Sequence, residues 1–355
     1  MTSAFRAPLV VNPDAGTLKV DLTVAAAPSS RLRVLVDTGS AQTWLPAEHL
    51  RLSGTSGSCV PTGGNFSQRY SDGSRVSGLL CRTELQIGQH RWQQVIGAAT
   101  ELTDEHDAAR DGVLALSPAP ESSFGPLLGT LPPEHRRLSL CARTGWLAFG
   151  GSCTAAVAAA AATDVPMMRL ASSRHWKLAV SGPRLALLDD QSWARLRGYT
   201  RASPLRLRGE TASTTHEAQI DSGTTHIAVA ATLHDQLLAA VGMRASLALT
   251  LHDGNSSTAR ARVRPPLALP TGDDVGVPPL PLLVPISHGC TIMAASPGLG
   301  RTGCLRRSIA PVLRPPAPDG AGQWLLGVPF LLHFDVVFDA QRRCGFAASE
   351  GSSTW

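Results

Sequence analysis

The stretch VLVDTGSAQTWLPA, residues 34–47, has a weaker copy later in the chain, AQIDSGTTHIAVA, residues 218–230. In each copy, apolar β-prone residues run into an aspartate, which is followed by a small hydroxyl residue, a glycine and a second hydroxyl residue. One such tetrapeptide arises by chance in roughly a few per cent of chains this long. Two copies at matching strand ends are much harder to attribute to chance, so the two halves of the chain are expected to be related.

The composition favours a β-dominated protein with a sizeable core. Of the 355 residues, 43% are hydrophobic and 17% are charged, which excludes a disordered chain. The 33 glycines and 26 prolines predict frequent turns and few long helices. The length fits two or three domains or one large β-rich domain.

The charge pattern argues against nucleic-acid binding. The net charge of +5 comes almost entirely from arginine, because Lys19 and Lys177 are the only lysines. The arginines are scattered, without a long basic run or interleaved aromatic residues, so we interpret them as a solvated surface. No metal or nucleotide cofactor is expected, because the chain lacks HExxH, Walker and GxGxxG motifs and a short-spaced Cys/His quartet. No apolar run is long enough to span a membrane.

Seven cysteines predict a disulfide framework, as in a secreted protein. Sequence alone does not determine the connectivity, but pairing of neighbours leaves Cys344 over and gives the pairs Cys59–Cys81, Cys141–Cys153 and Cys290–Cys304. Two sequons, at Asn65 and Asn255, are glycosylation sites only in a secreted chain.

The start of the chain bears on localisation. No signal peptide follows Met1, because Pro8, Asn12 and Pro13 interrupt the region where an apolar run would lie. Either a leader has been removed or the protein stays inside the cell. The cysteines and sequons favour the first interpretation, a protein that is secreted or kept in the vacuole or secretory pathway.

The pattern along the chain is one of many short strands. Residues 17–36 predict two strands around a turn at Pro28-Ser29-Ser30, and residues 64–96 predict a hairpin with its turn at Ser71-Asp72-Gly73-Ser74. Short helices are predicted over residues 126–137 and 231–241.

The two acidic turns could form one catalytic site. Gly39 and Gly223 let the backbone turn sharply after Asp37 and Asp221. If the two halves meet about a twofold axis, the two carboxylates share a proton, because such close like charges do not both ionise easily. One then acts as general base on a bound water and the other as general acid. For one isolated aspartate, a turn-capping role would be the simpler interpretation; the duplication argues against it.

With these motifs in the same order, nearly the whole sequence resembles the pepsin-like aspartic proteases. Asp37-Thr38-Gly39-Ser40, followed by Trp44, is similar to the motif of the N-terminal lobe, and Asp221-Ser222-Gly223-Thr224 to that of the C-terminal lobe. Tyr70-Ser71-Asp72-Gly73-Ser74 looks like the flap that closes over the substrate. Further blocks resemble strands of the family: DGVLALSP (111–118), His175-Trp176-Lys177-Leu178 and WLLGVPFLLHFDVVFD (324–339).

The resemblance implies an all-β, bilobal fold with an internal pseudo-twofold and a few short helices. The lobes would be residues 1–165 and 166–355, each with one catalytic aspartate. By analogy, Thr38 and Ser222 interlock beneath the carboxylates, and Ser40 and Thr224 support them from outside.

The same resemblance assigns the substrate-binding residues. Tyr70 hydrogen-bonds near Trp44 and closes over the substrate with the flap residues Ser71, Asp72 and Gly73. An acid at position 72 resembles fungal members, in which it helps to accept a basic residue of the substrate. Leu35 and Val113 are assigned to substrate binding as well.

Three departures from the family pattern stand out. Ala115 replaces a glycine expected in the first lobe, so the loop there is expected to pack differently. ELTDEHDAARDG, residues 101–112, is charged where many relatives supply aromatic residues, which would weaken binding of a large apolar side chain. His226 is atypical, and we interpret it as a buried neighbour of the site rather than a catalytic residue.

The expected function is an aspartic endopeptidase that cleaves peptide or protein substrates at acidic pH without a cofactor. Two alternatives remain open: a catalytically silent scaffold that binds or inhibits a partner, as do plant proteins of this fold that inhibit glycosidases, and a non-proteolytic enzyme that reuses the cleft. A monomer is expected, because both half-sites lie in one chain.

Overall fold

The computed structural model describes the chain in fourteen ranges, which include both acidic turns. They are residues 5–12, 15–24, 27–50, 59–70, 73–103, 109–151, 168–187, 203–206, 215–229, 245–252, 280–285, 309–311, 323–332 and 334–348. Several predictions fall outside these residues: the helix over 231–241, the lobe boundary at 165/166, the flap residues Ser71 and Asp72, and Asn255.

The first half of the chain is built of short strands and one short helix. These are β1 (Phe5–Asn12), β2 (Thr17–Val24), β3 (Ala27–Asp37), β4 (Trp44–Pro46), β5 (Val60–Arg69), β6 (Arg75–Ile87), β7 (His90–Leu102), β8 (Val113–Ala115), α1 (Phe124–Gly129), β9 (Arg137–Cys141) and β10 (Trp146–Phe149), with 3-10 turns at Ala47–His49 and Pro133–His135.

The second half repeats this strand-rich construction. Its elements are β11 (Met168–Arg169), β12 (Lys177–Leu187), β13 (Ser203–Arg206), β14 (Thr215–Ile220), β15 (Ile227–Val229), β16 (Ala245–His252), β17 (Leu280–Pro285), β18 (Ile309–Pro311), β19 (Gln323–Leu326), α2 (Val328–Leu331), β20 (Phe334–Asp339) and β21 (Arg343–Ala348). The prediction of a β-dominated fold with few short helices is confirmed.

The strands form two sheets. One has 13 strands in the order β11-β21-β20-β9-β10-β1-β2-β3-β8-β4-β7-β6-β5. The other has eight, in the order β17-β16-β12-β14-β19-β15-β18, with β13 paired to β12. Strands β20 and β21 come from the end of the chain but join the first sheet through β9, so the two halves share a sheet.

Two local predictions need correction. The turn predicted at Pro28-Ser29-Ser30 is wrong: β3 begins at Ala27 and includes these residues, and Val24 pairs with Ala27. A proline is tolerated in the first residues of a strand, where its missing N–H need not join the ladder. The helix predicted over 126–137 is α1, which ends at Gly129; Pro132 and Pro133 follow and cannot continue a helix.

The predicted flap hairpin is present as β5 and β6, joined around Gly73, whose φ of 97° is a conformation that favours glycine. The hairpin is tied at its base by a disulfide between Cys59 and Cys81, as predicted, with the Cα atoms 5.5 Å apart. Cys141 is also disulfide-bonded. Its predicted partner Cys153, and the pair Cys290 and Cys304, lie outside the described residues. Cys344 is buried.

One large buried side chain, that of Trp176, joins the two halves of the chain. Trp176 is fully buried between Phe124 and Phe338, with ring centroids 4.9 and 4.5 Å away. Its indole N–H donates to the carbonyl of Leu116, 2.8 Å away in the first half. In the described ranges, no helix has the length and apolar character needed to cross a membrane.

Candidate active site

The two aspartates are held by the same local construction. Asp37 is the last residue of β3, and Asp221 directly follows β14. Each strand has a parallel neighbour: β8 pairs with β3, and β19 pairs with β14. Each aspartate therefore lies at the end of a strand that a parallel neighbour supports.

A hydroxyl from each half locks the two turns together. Thr38 N–H donates to Ser222 Oγ, and Ser222 N–H donates to Thr38 Oγ1, both at 2.9 Å. Each hydroxyl then donates to a carbonyl of the other half, Thr38 to Ile220 at 3.0 Å and Ser222 to Val36 at 2.7 Å. All four bonds are buried, so they fix the two turns firmly in relation to each other.

The two glycines bring the carboxylates together. A Cβ on Gly39 would lie 2.6 Å from the carboxyl group of Asp221, and one on Gly223 would lie 2.5 Å from that of Asp37. Each carboxylate therefore packs directly on the backbone of the opposite turn. Only glycine permits this approach.

The carboxylate of Asp37 is almost enclosed, with 5% of the residue exposed. It accepts hydrogen bonds from the backbone N–H of Gly39 at 2.8 Å and of Ser40 at 3.0 Å. The hydroxyl of Ser40 donates to its second oxygen, Oδ2. The carboxylate of Asp37 thus accepts three hydrogen bonds from its own turn.

Asp221 has a less favourable environment for a negative charge. Its carboxylate accepts from Gly223 N–H and from Thr224 Oγ1, both at 2.9 Å. Burial and the negative charge of Asp37 raise the pKa of Asp221 to about 7, against the opposing effect of these two donors. Asp221 therefore keeps its proton to higher pH than an ordinary aspartate does.

The flap lies over an apolar cluster beside Asp37. Tyr70 OH accepts a hydrogen bond from the indole of Trp44 at 2.6 Å, the contact expected for this pair. Leu35 and Val113, assigned above to substrate binding, are buried in this cluster. Its members are Leu35, Trp44, Val76, Ala99, Ala109 and Val113, with Phe66 and Tyr70 packed against them.

The charged segment after β7 is only partly described. Glu101 is exposed and accepts a hydrogen bond from Ser77 Oγ at 2.7 Å. Residues 104–108 lie outside the described residues. The described part thus offers a polar surface next to the flap.

The ring of His226 contacts its neighbour Thr225: its Nδ1 lies 3.3 Å from Thr225 Oγ1. Burial lowers its pKa, so the ring is neutral at neutral pH. Among the described residues, no group of three or more His, Cys, Asp or Glu side chains is arranged to hold a metal ion.

One polar residue at the site was missed from the sequence. Gln68, on β5, donates from Nε2 to Ser40 Oγ at 3.2 Å. The signal for it is the alternation along β5, where Phe66, Gln68 and Tyr70 share the half-buried face and Ser67 and Arg69 are exposed. Asn65, the predicted glycosylation site, is exposed on the same strand.

Comparison with known proteins agrees with the geometry. Residues 23–125 match the family described as eukaryotic aspartyl protease. The fold is similar to the crystal structure of an aspartic proteinase from Irpex lacteus, with a TM-score of 0.64, 17% sequence identity and 99% of each chain covered. No curated protein sequence matches the chain. The predicted resemblance and the bilobal pepsin-like fold are thereby confirmed, and the sequence match itself covers the first acidic turn and the flap.

Proposed function

We propose that the protein is an aspartic endopeptidase that hydrolyses peptide bonds with a water held between Asp37 and Asp221. The observation that carries the proposal is the pairing of the two carboxylates, each packed on the glycine of the opposite turn. The interlocked hydroxyls of Thr38 and Ser222 hold this pair in place.

The different surroundings of the two carboxylates assign their roles. Asp37 accepts three hydrogen bonds and is the charged partner, so it takes a proton from the water as that water attacks the peptide carbonyl. Asp221 carries the shared proton and donates it to the carbonyl oxygen, which gives a tetrahedral diol. Asp37 then donates its proton to the leaving nitrogen while Asp221 takes a proton from one hydroxyl of the diol. The C–N bond breaks, the carbonyl re-forms as a carboxylic acid, and the pair again holds one proton on Asp221 for the next turnover.

The proposed working range is acidic. The raised pKa of Asp221, to about 7, means that this residue loses its proton as the pH approaches neutrality, and the general acid is lost with it. At very low pH the second carboxylate is protonated too, and the general base is lost. Activity is therefore expected to follow a bell-shaped curve whose upper limb lies below about pH 7.

The cleft suggests the substrate class. The apolar cluster beneath the flap provides packing surface, and the Trp44–Tyr70 hydrogen bond holds the flap tyrosine above it. Glu101, exposed at the edge of the flap, makes that wall polar. An extended peptide with a residue of moderate size beside the scissile bond fits this cleft better than one with a large aromatic residue.

The test is digestion of a denatured protein at pH 3 to 5, with and without pepstatin. Asp37→Asn and Asp221→Asn should each reduce the cleavage rate about 10³-fold or more, because each removes one of the two proton-transfer groups. Asp21→Asn is the matched control, since the ion pairs of Asp21 among the described residues are with the exposed Arg31 at 3.6 Å and Arg33 at 3.1 Å. Full activity in either active-site variant would overturn the proposal.

The second candidate function is a catalytically silent binding or inhibitor scaffold. The observation that favours it is Ala115, which gives the first half a loop closure that differs from that of the second half. In this case the folded wild type would show no pepstatin-sensitive turnover in the same digestion, and it would bind a partner tightly.

A further inference from the structure

The flap reaches the catalytic turn through a polar side chain. On the half-buried face of β5, Phe66 packs over Gly97, where an added Cβ would lie 2.5 Å from the phenyl ring. Tyr70 accepts a hydrogen bond from Trp44. Gln68 lies between these two residues along the strand, and its amide extends to the turn that carries Asp37.

The hydrogen-bond directions along this chain are determined. The single hydroxyl hydrogen of Ser40 is donated to Asp37 Oδ2, so Ser40 Oγ can only accept from Gln68. This places the amide nitrogen of Gln68 toward Ser40. A continuous path of donors then runs from the flap to the carboxylate, and each bond in such a path strengthens the next.

We propose that Gln68 is a positioning residue that holds the Ser40 hydroxyl on Asp37 and so favours the charged form of that carboxylate. The inference rests on the proposed function for its catalytic meaning, since the charged carboxylate is the general base. It makes the flap strand part of the acid–base machinery, whereas the sequence assigned this strand only to substrate binding.

The amide oxygen of Gln68 argues that this residue is not present merely to fill space. Gln68 Oε1 is buried and has no hydrogen-bond partner among the described residues. Burying an acceptor without a donor is unfavourable, and an apolar residue such as methionine would fill the position without that penalty. What glutamine adds over methionine is the donor on Ser40.

The other groups around Asp37 leave this donor a clear role. Asp221 is the titratable side chain that faces it from the second half. The flap and β4 contribute Tyr70 and Trp44, which bond to each other, and β8 contributes only apolar residues. Beyond the second turn, His226 contacts Thr225, and Arg69, next to Gln68, is exposed on the opposite face of β5.

The first test is a titration that requires no turnover. Protonation of the aspartate carboxyl groups is followed by carbon-13 NMR in the wild type and in Gln68→Met. The lower of the two protonation steps of the pair should move to higher pH by about half a unit, because a donor chain to the charged carboxylate is weakened. The acid limb of the peptidase pH profile should move in the same direction.

The matched control is Gln86→Met, the same substitution at a half-buried glutamine of the same lobe. Gln86 donates to the carbonyl of Gly88 at the turn between β6 and β7, away from the carboxylates. It should leave the titration unchanged. If Gln68→Met does not fold, Gln68→Asn withdraws the amide by one methylene and should give the same shift.

A double-mutant cycle tests the route through Ser40. In a Ser40→Ala background the donor path is already broken, so Gln68→Met should cause no further shift. An unchanged titration in Gln68→Met, or a shift that persists in full without the Ser40 hydroxyl, would overturn the inference. A shift in a protein that cleaves no peptide would support this inference and count against the proposed function. Cleavage without any shift would refute the inference alone.

Discussion

The two halves of the site share one frame, but they surround their aspartates differently. In both, a strand ends in an aspartate, a parallel neighbour supports it, and a hydroxyl crosses to the other half. Asp37 accepts three hydrogen bonds on its carboxylate, and Asp221 accepts two. A duplicated backbone thus supplies position, and the side chains added to it give the two carboxylates different surroundings, as the proposed division into general base and general acid requires.

A second difference lies at the ends of the two parallel neighbour strands. In the first half β8 ends at Ala115, and in the second half Gly327 directly follows β19. In the second half, the N–H of Val328 reaches the carbonyl of Thr224 at 2.9 Å. In the first half, the N–H of Leu116 reaches the carbonyl of Asp37 itself at 2.8 Å. The two loops therefore close with different hydrogen bonds.

The largest difference between the two halves is expected when each of these residues is replaced by the residue type of the other half. A Cβ on Gly327 would lie 2.2 Å from the carbonyl oxygen of His226 and 2.3 Å from that of Thr224, so Gly327→Ala forces the backbone to move. We expect it to lower the free energy of unfolding by about 3 kcal/mol or more. Ala115→Gly meets no such obstacle and should lower it by about 1 kcal/mol or less.

Urea denaturation of both variants measures this difference. Ala115→Gly should lose less unfolding free energy than Gly327→Ala only if the loop after β8 closes without the methyl group of Ala115. Equal losses in the two variants would show that the two loops are under the same constraint.

The hydroxyls of Thr38 and Ser222 should contribute equally to the free energy of unfolding, although the two carboxylates differ in their surroundings. Thr38→Val keeps the shape of the side chain but leaves the N–H of Ser222 and the carbonyl of Ile220 buried without this partner. We expect a loss of about 2–3 kcal/mol in the free energy of unfolding. Ser222→Ala removes the corresponding pair of bonds and should cost about as much.

The double variant sharpens this prediction. Because the two hydroxyls serve the same junction, Thr38→Val and Ser222→Ala together should cost clearly less than the sum of the single losses. Thr38→Ser, which keeps the hydroxyl, is the control and should lose less than Thr38→Val. Simple additivity would mean that the two hydroxyls act independently.

The features that the sequence predicted are local motifs, together with the contacts, such as the Thr38–Ser222 interlock, that the family resemblance of those motifs implies. The acidic turns and the flap turn at Gly73 are short patterns of glycine, hydroxyl and acidic residues in strand context. The pair Cys59–Cys81 was predictable because the two residues lie at the base of one hairpin, where Pro61 pairs with Cys81. By contrast, the bond from Gln68 to Ser40 spans 28 residues and follows no periodic pattern.

The unequal surroundings of the two aspartates were not predictable either, since they depend on burial and on which donors converge after folding. Both turns read as Asp, hydroxyl, Gly, hydroxyl. In the folded protein, however, Ser40 contributes both its N–H and its hydroxyl to Asp37, whereas Thr224 contributes only its hydroxyl to the carboxylate of Asp221. The turn predicted at Pro28 is wrong for a related reason: proline often interrupts a strand, but pairing with β2 extends this strand through it.

The raised pKa of Asp221 should also make the free energy of unfolding depend on pH. Because the pKa of Asp221 is raised from 3.8 to about 7, the folded protein binds a proton that the unfolded chain has lost between those pH values. The contribution of Asp221 is therefore fully present below about pH 4 and is lost as the pH rises through 7. A shift of about 3 pKa units corresponds to at most about 4 kcal/mol.

Measuring that contribution requires a difference between variants, because other groups act in the opposite direction. Burial lowers the pKa of His90 and His226, and these residues add stability as the pH rises. The free energy of unfolding of wild type minus that of Asp221→Asn, taken at pH 4, 5, 6 and 7, isolates the aspartate and should fall steadily. Asp37→Asn removes the neighbouring charge but not the burial, so it should narrow the pH range of this fall without abolishing it. A difference that stays flat from pH 4 to 7 would mean that the second carboxylate is as readily ionised as a surface aspartate, and the division into base and acid would then have no basis.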